Sequence, residues 1–399
     1  RIIGRTADGG VAVDGVELAL DSLLRGVAGS ATLLKDSRGR RFASPSENGT
    51  AARPGHSVTL TISAGLQDIA ERALGDAVTK MGAEGGDIVI LDSQTGAIRA
   101  LSSRRADPRA TAATALTEPY EPGSTLKPFI AAALLERGRA RADEQMNTFG
   151  GKWTYNGRTF EDDHKGASFT LADVIRFSSN IGIVQFAQRL TPREQYEVLR
   201  DAGFGAPTGT TYPSESPGRL APPKSWTQQS SASLAMGYEI MVTPLQLAAA
   251  YAAIANGGEL LQPALIKEIH SADGALQYRH ERRVVRRLMS NAVARTMRGM
   301  LKSVVDGGTA EGSSLATFDV AGKTGTAKVA RNGHYVKGAY TASFVGMFPA
   351  DAPQIVILVK LDNPTKSIYG GKAAAPVTKT VLEAAIAARD AALDRRGLA

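Results

Sequence analysis

Two apolar segments near residue 90 and three near the C-terminus most constrain what this chain can fold into. Asp87–Asp92 and Ala97–Leu101 flank Ser93-Gln94-Thr95-Gly96, a hairpin signal of two apolar strands around a Gly-containing turn. Asp319–Lys328, Thr341–Phe348 and Gln354–Leu361 follow one another far later, after a mostly helical stretch. Such strands bury their faces only by meeting. The pattern predicts an α+β fold with a five-stranded antiparallel sheet whose halves are distant in sequence, covered by helices on both faces.

The 399 residues suffice for one large domain plus a smaller one. Residues 1–55 carry short apolar pieces, a possible helix from Val16 to Leu24 and a turn at Lys35–Arg40 between two short strands. That segment is too small to bury its own core. It reads as a partial N-terminal segment ending in a linker at Ala51–Gly55, with the main domain over 56–399. The main domain opens on a strand, His56–Ile62. Leu66, Ile69, Ala70, Ala73, Leu74, Ala77 and Val78 then follow helical spacing. Pro376 opens a final helix.

Composition removes several function classes. The chain has no Cys, which excludes disulfides, thiolate catalysis and Cys-based metal sites. Its five His show no ligand spacing, so neither a metal nor a cofactor is expected. The net charge of +8 reads first as a solvated basic surface and second as attraction to anionic polymers or lipid headgroups. Scattered basic residues without aromatic platforms do not suggest nucleic acid. No run of 18 apolar residues is present. The chain begins Arg1-Ile2-Ile3 and reads as a processed or truncated form.

Three polar segments carry chemistry. In Pro122-Gly123-Ser124-Thr125-Leu126-Lys127-Pro128, the Pro-Gly turn precedes an apolar helix. Free N–H groups and the dipole at a helix N-terminus stabilise an oxyanion there. Ser124 and Lys127, at i and i+3, share a face. Ser124 is a nucleophile only if a base takes its proton, and Lys127 is that base only if neutral. Burial and a second cation, Lys323, would lower its pKa. Ser178-Ser179-Asn180 follows a short helix capped by Thr170 and Asp173. The Ser178 hydroxyl suits proton relay, and the Asn180 amide suits a substrate carbonyl. Lys323-Thr324-Gly325-Thr326 continues a strand. Gly325 makes room for a substrate backbone. The Ser124 and Thr326 N–H groups form an oxyanion hole, and Thr324 and Thr326 suit a carboxylate. Whether Lys127 or a Lys323–Ser178 relay takes the proton stays open.

In this order the three segments form the Ser/Lys constellation of penicillin-binding proteins and serine β-lactamases. The chain resembles the class B penicillin-binding proteins over about residues 56–390. The likeness includes Leu91–Gly96, Met236-Gly237-Tyr238, Val242–Gln246, Ala255–Gly258, Ser343–Gly346 and Tyr369-Gly370-Gly371. The stretches Ser343–Pro364 and Tyr369–Pro376 look most like the cell-division, FtsI-like subgroup. Residues 1–54 are similar to part of the family's N-terminal pedestal. Ser63 stands where the family usually has Asp, and Leu126 replaces a common Phe.

The resemblance implies the penicillin-binding transpeptidase fold and a peptidoglycan D,D-transpeptidase. Ser124 would attack a D-Ala-D-Ala stem peptide, release D-Ala and pass the acyl group to a neighbouring amine. β-Lactams would acylate the same Ser. It implies action at the outer face of the cytoplasmic membrane, through an N-terminal anchor absent from this chain, with a lipid II polymerase and divisome proteins as partners. A serine β-lactamase is the nearest rival, but no segment supplies a Glu to activate water for deacylation. A β-lactam sensor and a scaffold with a dead site are the others.

Overall fold

The computed structural model describes residues 2–31, 33–43, 49–107, 112–331, 333–388 and 393–394. They form two compact units. One takes in the N-terminal segment up to Thr61, together with Thr211–Pro213 and Ala264–Glu281. Within it, Leu33–Lys35 pairs with Arg41–Ala43 around the expected turn. Ser57–Leu60, Ile266–His270 and Leu276–Arg279 make a three-stranded sheet. The expected helix from Val16 to Leu24 is two short pieces, Gly15–Ala19 and Asp21–Leu24, broken at Leu20. The domain boundary at 55/56 stays a proposal: Ser57–Leu60, which it gives to the larger domain, pairs inside this first unit. Residues 395–399, the end of that larger domain, lie outside the described residues.

The other unit carries the large sheet. In chain order its main elements are α1 (Ala64–Met81), β1 (Gly85–Asp92), β2 (Ile98–Arg105), α2 (Lys127–Glu136), β3 (Lys152–Tyr155), β4 (Arg158–Glu161), α3 (Leu171–Arg176), α4 (Asn180–Ala187), α5 (Pro244–Ala255), β5 (Ala321–Arg331), β6 (His334–Phe348), β7 (Ile355–Asp362) and α6 (Ala375–Ala387). The sheet order is β5-β6-β7-β1-β2, antiparallel throughout. The early hairpin therefore docks onto the late three strands, as their apolar faces require.

Helices pack on both faces. α1 and α6 pack on each other; α1 covers β1 and β2, and α6 covers β6 and β7. The predicted apolar face of α1 is buried in full. Its first turn is capped by Ser63, whose side chain accepts the Leu66 N–H, so Ser does here what Asp does at such a position. α5 packs against β6, β7 and β1. Every residue of α5 is buried, which explains why its sequence has no polar face. A capping box starts it: Thr243 Oγ1 accepts the Gln246 N–H and Gln246 Oε1 accepts the Thr243 N–H. Because both faces of β7 are covered, its residues Ile355–Leu361 form a nearly unbroken apolar run interrupted by Lys360.

Candidate active site

The turn before α2 is shaped by two glycines. Gly123 adopts φ +56 and donates its N–H to the Gly237 carbonyl at 3.0 Å. A Cβ on Gly237 would lie 1.9 Å from the Gly123 oxygen, so only glycine permits that approach. The Thr125 hydroxyl donates to the Pro122 carbonyl at 2.8 Å, and the buried Tyr251 hydroxyl of α5 donates to the Thr125 carbonyl at 2.7 Å. Residues Gly123–Leu126 form a 3-10 turn, and the α-helix begins only at Lys127. This corrects the expected helix start: the Lys127 N–H donates to the Ser124 carbonyl across the turn.

Lys127 is fully buried. Its Nζ donates to the Ser178 carbonyl at 2.5 Å and to Asn180 Oδ1 at 2.8 Å, and stands 3.3 Å from Ser178 Oγ. Lys323 is also fully buried, and its Nζ donates to Ser178 Oγ at 2.9 Å. One hydroxyl thus touches two lysines drawn from distant parts of the chain. Burial pulls the Lys127 ammonium down to about 7, although Asp162 and Asp163 oppose it. Burial, and then the charge of Lys127, push Lys323 well below the usual lysine range. Two cations this close in a dry site favour loss of a proton from the pair.

Ser178 adopts φ +60, a conformation that costs a non-glycine residue roughly 1–3 kcal/mol. The left-handed twist turns both its carbonyl and its hydroxyl toward the lysines. The expected polar helix end is a junction instead: α3 stops at Arg176, Ser179 is the N-cap of the next helix and Asn180 opens α4. The capping box predicted at Thr170 and Asp173 is present.

Lys323–Thr326 lies in β5, as the strand pattern predicts. A Cβ on Gly325 would meet Ser343 Oγ at 2.4 Å, the Pro122 carbonyl at 2.9 Å and Thr125 Cγ2 at 3.0 Å. Glycine is needed here for the close approach of the Ser124 turn itself, quite apart from any substrate. The Thr324 hydroxyl pairs with that of Thr309 at 2.6 Å, and Thr326 Oγ1 accepts the Gly370 N–H at 3.3 Å. All three segments therefore converge on one site. A cleft of about 800 Å³ extends from Asn180 and is lined by Glu121, Arg158, Phe160, Tyr238 and Tyr335. Burial pushes the Glu121 carboxyl up, while the Glu239 N–H and Tyr335 hydroxyl donate to it. Among the described residues no cluster of three His, Asp or Glu side chains could hold a metal.

Sequence reasoning missed Tyr251, Thr309 and Asp162. Asp162 is only 6% exposed and accepts from the Ser179 hydroxyl and the Asn180 and Ile181 N–H groups. Nothing in the local pattern of Glu161-Asp162-Asp163 marks it out. Gly237 fell within a quoted family-like segment, but its packing on Gly123 is a tertiary fact.

Residues 86–383 match the family described as penicillin-binding protein transpeptidase domain. The chain is 33% identical to the probable peptidoglycan D,D-transpeptidase PbpC of Pseudomonas aeruginosa, over 97% of this chain and 68% of the relative. It is 30% identical to the probable peptidoglycan D,D-transpeptidase PenA of Neisseria meningitidis, over 96% of this chain. The chain spans 66% of that relative's length. Among solved structures, penicillin-binding protein 3 of Mycobacterium tuberculosis in complex with aztreonam superposes with a TM-score of 0.83 at 29% identity, covering 96% of this chain and 86% of the other.

Proposed function

The chain belongs to the penicillin-binding protein transpeptidase family, as a class B type domain close to the FtsI-like proteins, and on that premise we propose that it is a peptidoglycan D,D-transpeptidase acting through a Ser124 acyl-enzyme. The observation that carries this reading is the Ser178 hydroxyl, 2.9 Å from Lys323 Nζ and 3.3 Å from Lys127 Nζ, beside the Ser124 turn.

In the proposed reaction neutral Lys127 accepts the Ser124 proton as Oγ attacks the penultimate D-Ala carbonyl. Its two N–H bonds, to the Ser178 carbonyl and Asn180 Oδ1, leave the lone pair of the neutral amine for the Ser124 proton. The Ser124 and Thr326 N–H groups hold the oxyanion. Collapse breaks the peptide bond, and the leaving D-Ala nitrogen takes a proton through Ser178 and Lys323. Lys323, Thr324, Gly325 and Thr326 receive the terminal carboxylate and backbone of the donor. An acceptor amine then loses its proton along the same route to Lys127 and attacks the ester carbonyl; the acyl C–O bond to Ser124 breaks, and Lys127 returns the proton to Oγ. A β-lactam follows the first half of this course, but its leaving nitrogen stays tethered, so the acyl-enzyme persists.

The FtsI-like likeness supports a role in septal wall synthesis at the outer face of the cytoplasmic membrane, beside a lipid II polymerase and divisome proteins. No helix among the described residues is long and apolar enough to cross a membrane. A fluorescent penicillin tests the chemistry. Stable stoichiometric labelling that disappears in Ser124→Ala is expected. Labelling that survives in Ser124→Ala removes Ser124 from the role, and rapid loss of label points to a β-lactamase.

A further inference from the structure

We propose that Glu239 and Lys328 form a clamp for an α-amino-acid head, an ammonium and a carboxylate on one carbon, at the end of a side chain on the acyl donor. The inference deepens the transpeptidase reading and rests on it.

Glu239 stands where the backbone favours glycine. It adopts φ +60, the left-handed conformation that penalises a residue with a Cβ. Its N–H donates to Glu121 Oε1 at 2.8 Å, and two residues earlier the Gly237 carbonyl accepts the Gly123 N–H at 3.0 Å. The turn that carries Glu239 is therefore tied twice to the segment that leads to Ser124. Strain of this kind persists where the surroundings over-determine it, and it clusters at ligand sites. Here the strained residue is a glutamate on the wall of the cleft of about 800 Å³.

Most charges on that wall already have partners. Glu161 pairs with Lys152 at 3.2 Å, and Arg158 donates to the Ser233 hydroxyl at 2.9 Å and lies over the Phe160 ring. Burial, and then the charge of Glu239, push the Glu121 carboxyl up, against the favourable charge of Arg219. Among the described residues the Glu239 carboxylate and the Lys328 ammonium have no ion pair. Both adjoin Tyr238: Glu239 follows it in the chain, and its phenol lies against the Lys328 backbone. An ammonium set against Glu239 also relieves the repulsion between the two carboxylates.

The two groups lie where the acyl side chain of a donor would run. Lys328 shares a face of β5 with Thr326, about 7 Å further along the strand from the proposed oxyanion donor. The cleft starts at Asn180, whose amide suits the donor carbonyl. A head with a single charge would leave either Glu239 or Lys328 unpaired once substrate excludes water, whereas a head with both charges satisfies the two together.

Acylation rates with three cephalosporins test the clamp. Cephalosporin C has a side chain that ends in an α-amino-acid head. Its N-acetyl derivative keeps the carboxylate and loses the ammonium, and its side-chain amide loses the carboxylate and keeps the ammonium. The nucleus is common to all three, so ratios cancel any effect of a variant on the chemistry. The wild type is expected to react with cephalosporin C about tenfold faster than with either derivative, the size of one charge-assisted hydrogen bond. Glu239→Gln should abolish the preference over the N-acetyl compound, and Lys328→Met the preference over the amide. Glu239→Gly should lose the first preference while melting at an equal or higher temperature, because glycine relieves the backbone.

Equal wild-type rates with all three probes would overturn the clamp. So would a preference that survives in both Glu239 variants, including variants that slow every probe alike with ratios intact, the mark of a merely structural role. A wild type that none of the three acylates would refute the transpeptidase reading and the clamp with it, whereas equal rates refute the clamp alone.

Discussion

Lys360 and Asp87 face each other across β7 and β1, ammonium and carboxylate 2.9 Å apart and both closed to water. They belong to a polar row that crosses the sheet strand by strand: Gly325, Ser343, Lys360, Asp87 and Ser103 are successive partners in register. The row begins beneath the Ser124 turn, where Gly325 lies against Pro122 and Thr125. It is tied at its other end, where Asp87 accepts the Thr114 hydroxyl and Ser103 accepts the Ala115 N–H. Lys360 also lies 5.3 Å from the centre of the Tyr120 ring, at the start of the segment that leads to Ser124.

Breaking this pair is expected to cost stability. Asp87→Asn takes from Lys360 one of its two carboxylate partners in a dry site and leaves Asp362 at 2.7 Å, so the loss should stay below the ~3–5 kcal/mol of a buried pair broken outright. The pair also sets a pH dependence. Burial would raise the Asp87 carboxyl, but Lys360 and Arg105 outweigh it and hold it below the usual range. Its contribution is full above the unfolded carboxylate value of about 4 and is lost as pH falls below it through the lower folded value. Burial likewise works against the Lys360 charge, but Asp87 and Asp362 raise it above the ordinary lysine value. That contribution is present below about 10.4 and lost as pH rises through the folded value. Denaturant midpoints measured across pH check both limbs. In Asp87→Asn the acid limb should flatten; an unchanged acid limb would remove Asp87 as its source.

Acylation should switch on with rising pH. The proposed base works only as a neutral amine, and burial, against the opposing charges of Asp162 and Asp163, brings Lys127 down to about 7. Well below that value the neutral fraction rises about tenfold per pH unit, and it levels off above it. Second-order rates of acylation by a chromogenic β-lactam between pH 5 and 9 measure this. A flat profile would mean that Lys127 is not the group whose proton is lost.

Ser178→Gly should separate stability from activity. Glycine adopts φ +60 without penalty, so the substitution relieves the backbone and leaves the melting temperature equal or higher, by up to about 1 kcal/mol of stability. It also deletes the hydroxyl that joins Lys127 and Lys323. Acylation should fall by roughly 10²–10⁴-fold, the range for loss of a positioned proton-transfer group. Thermal melting and acylation rate on the same preparation provide the check. A variant with normal acylation would show that the relay does not pass through this hydroxyl.

The sequence by itself determined the elements whose causes are local. The hairpin around Ser93–Gly96, the buried face of α1, the capping box at Thr170 and the three late strands follow from turn residues, side-chain periodicity and caps within a few positions of one another. The motif segments were legible too, because their residue types are rarely assembled for packing alone. Only the tertiary structure decided what lies between them. The 3-10 turn at Ser124, the left-handed Ser178, the grip of Asp162 and the approach of Gly237 to Gly123 each depend on contacts from distant positions. The depressed pKa of Lys127 is decided in the same place. A lysine at the start of an apolar helix carries no local mark of how deeply it is buried, and its amine is depressed because the folded chain has excluded water around it.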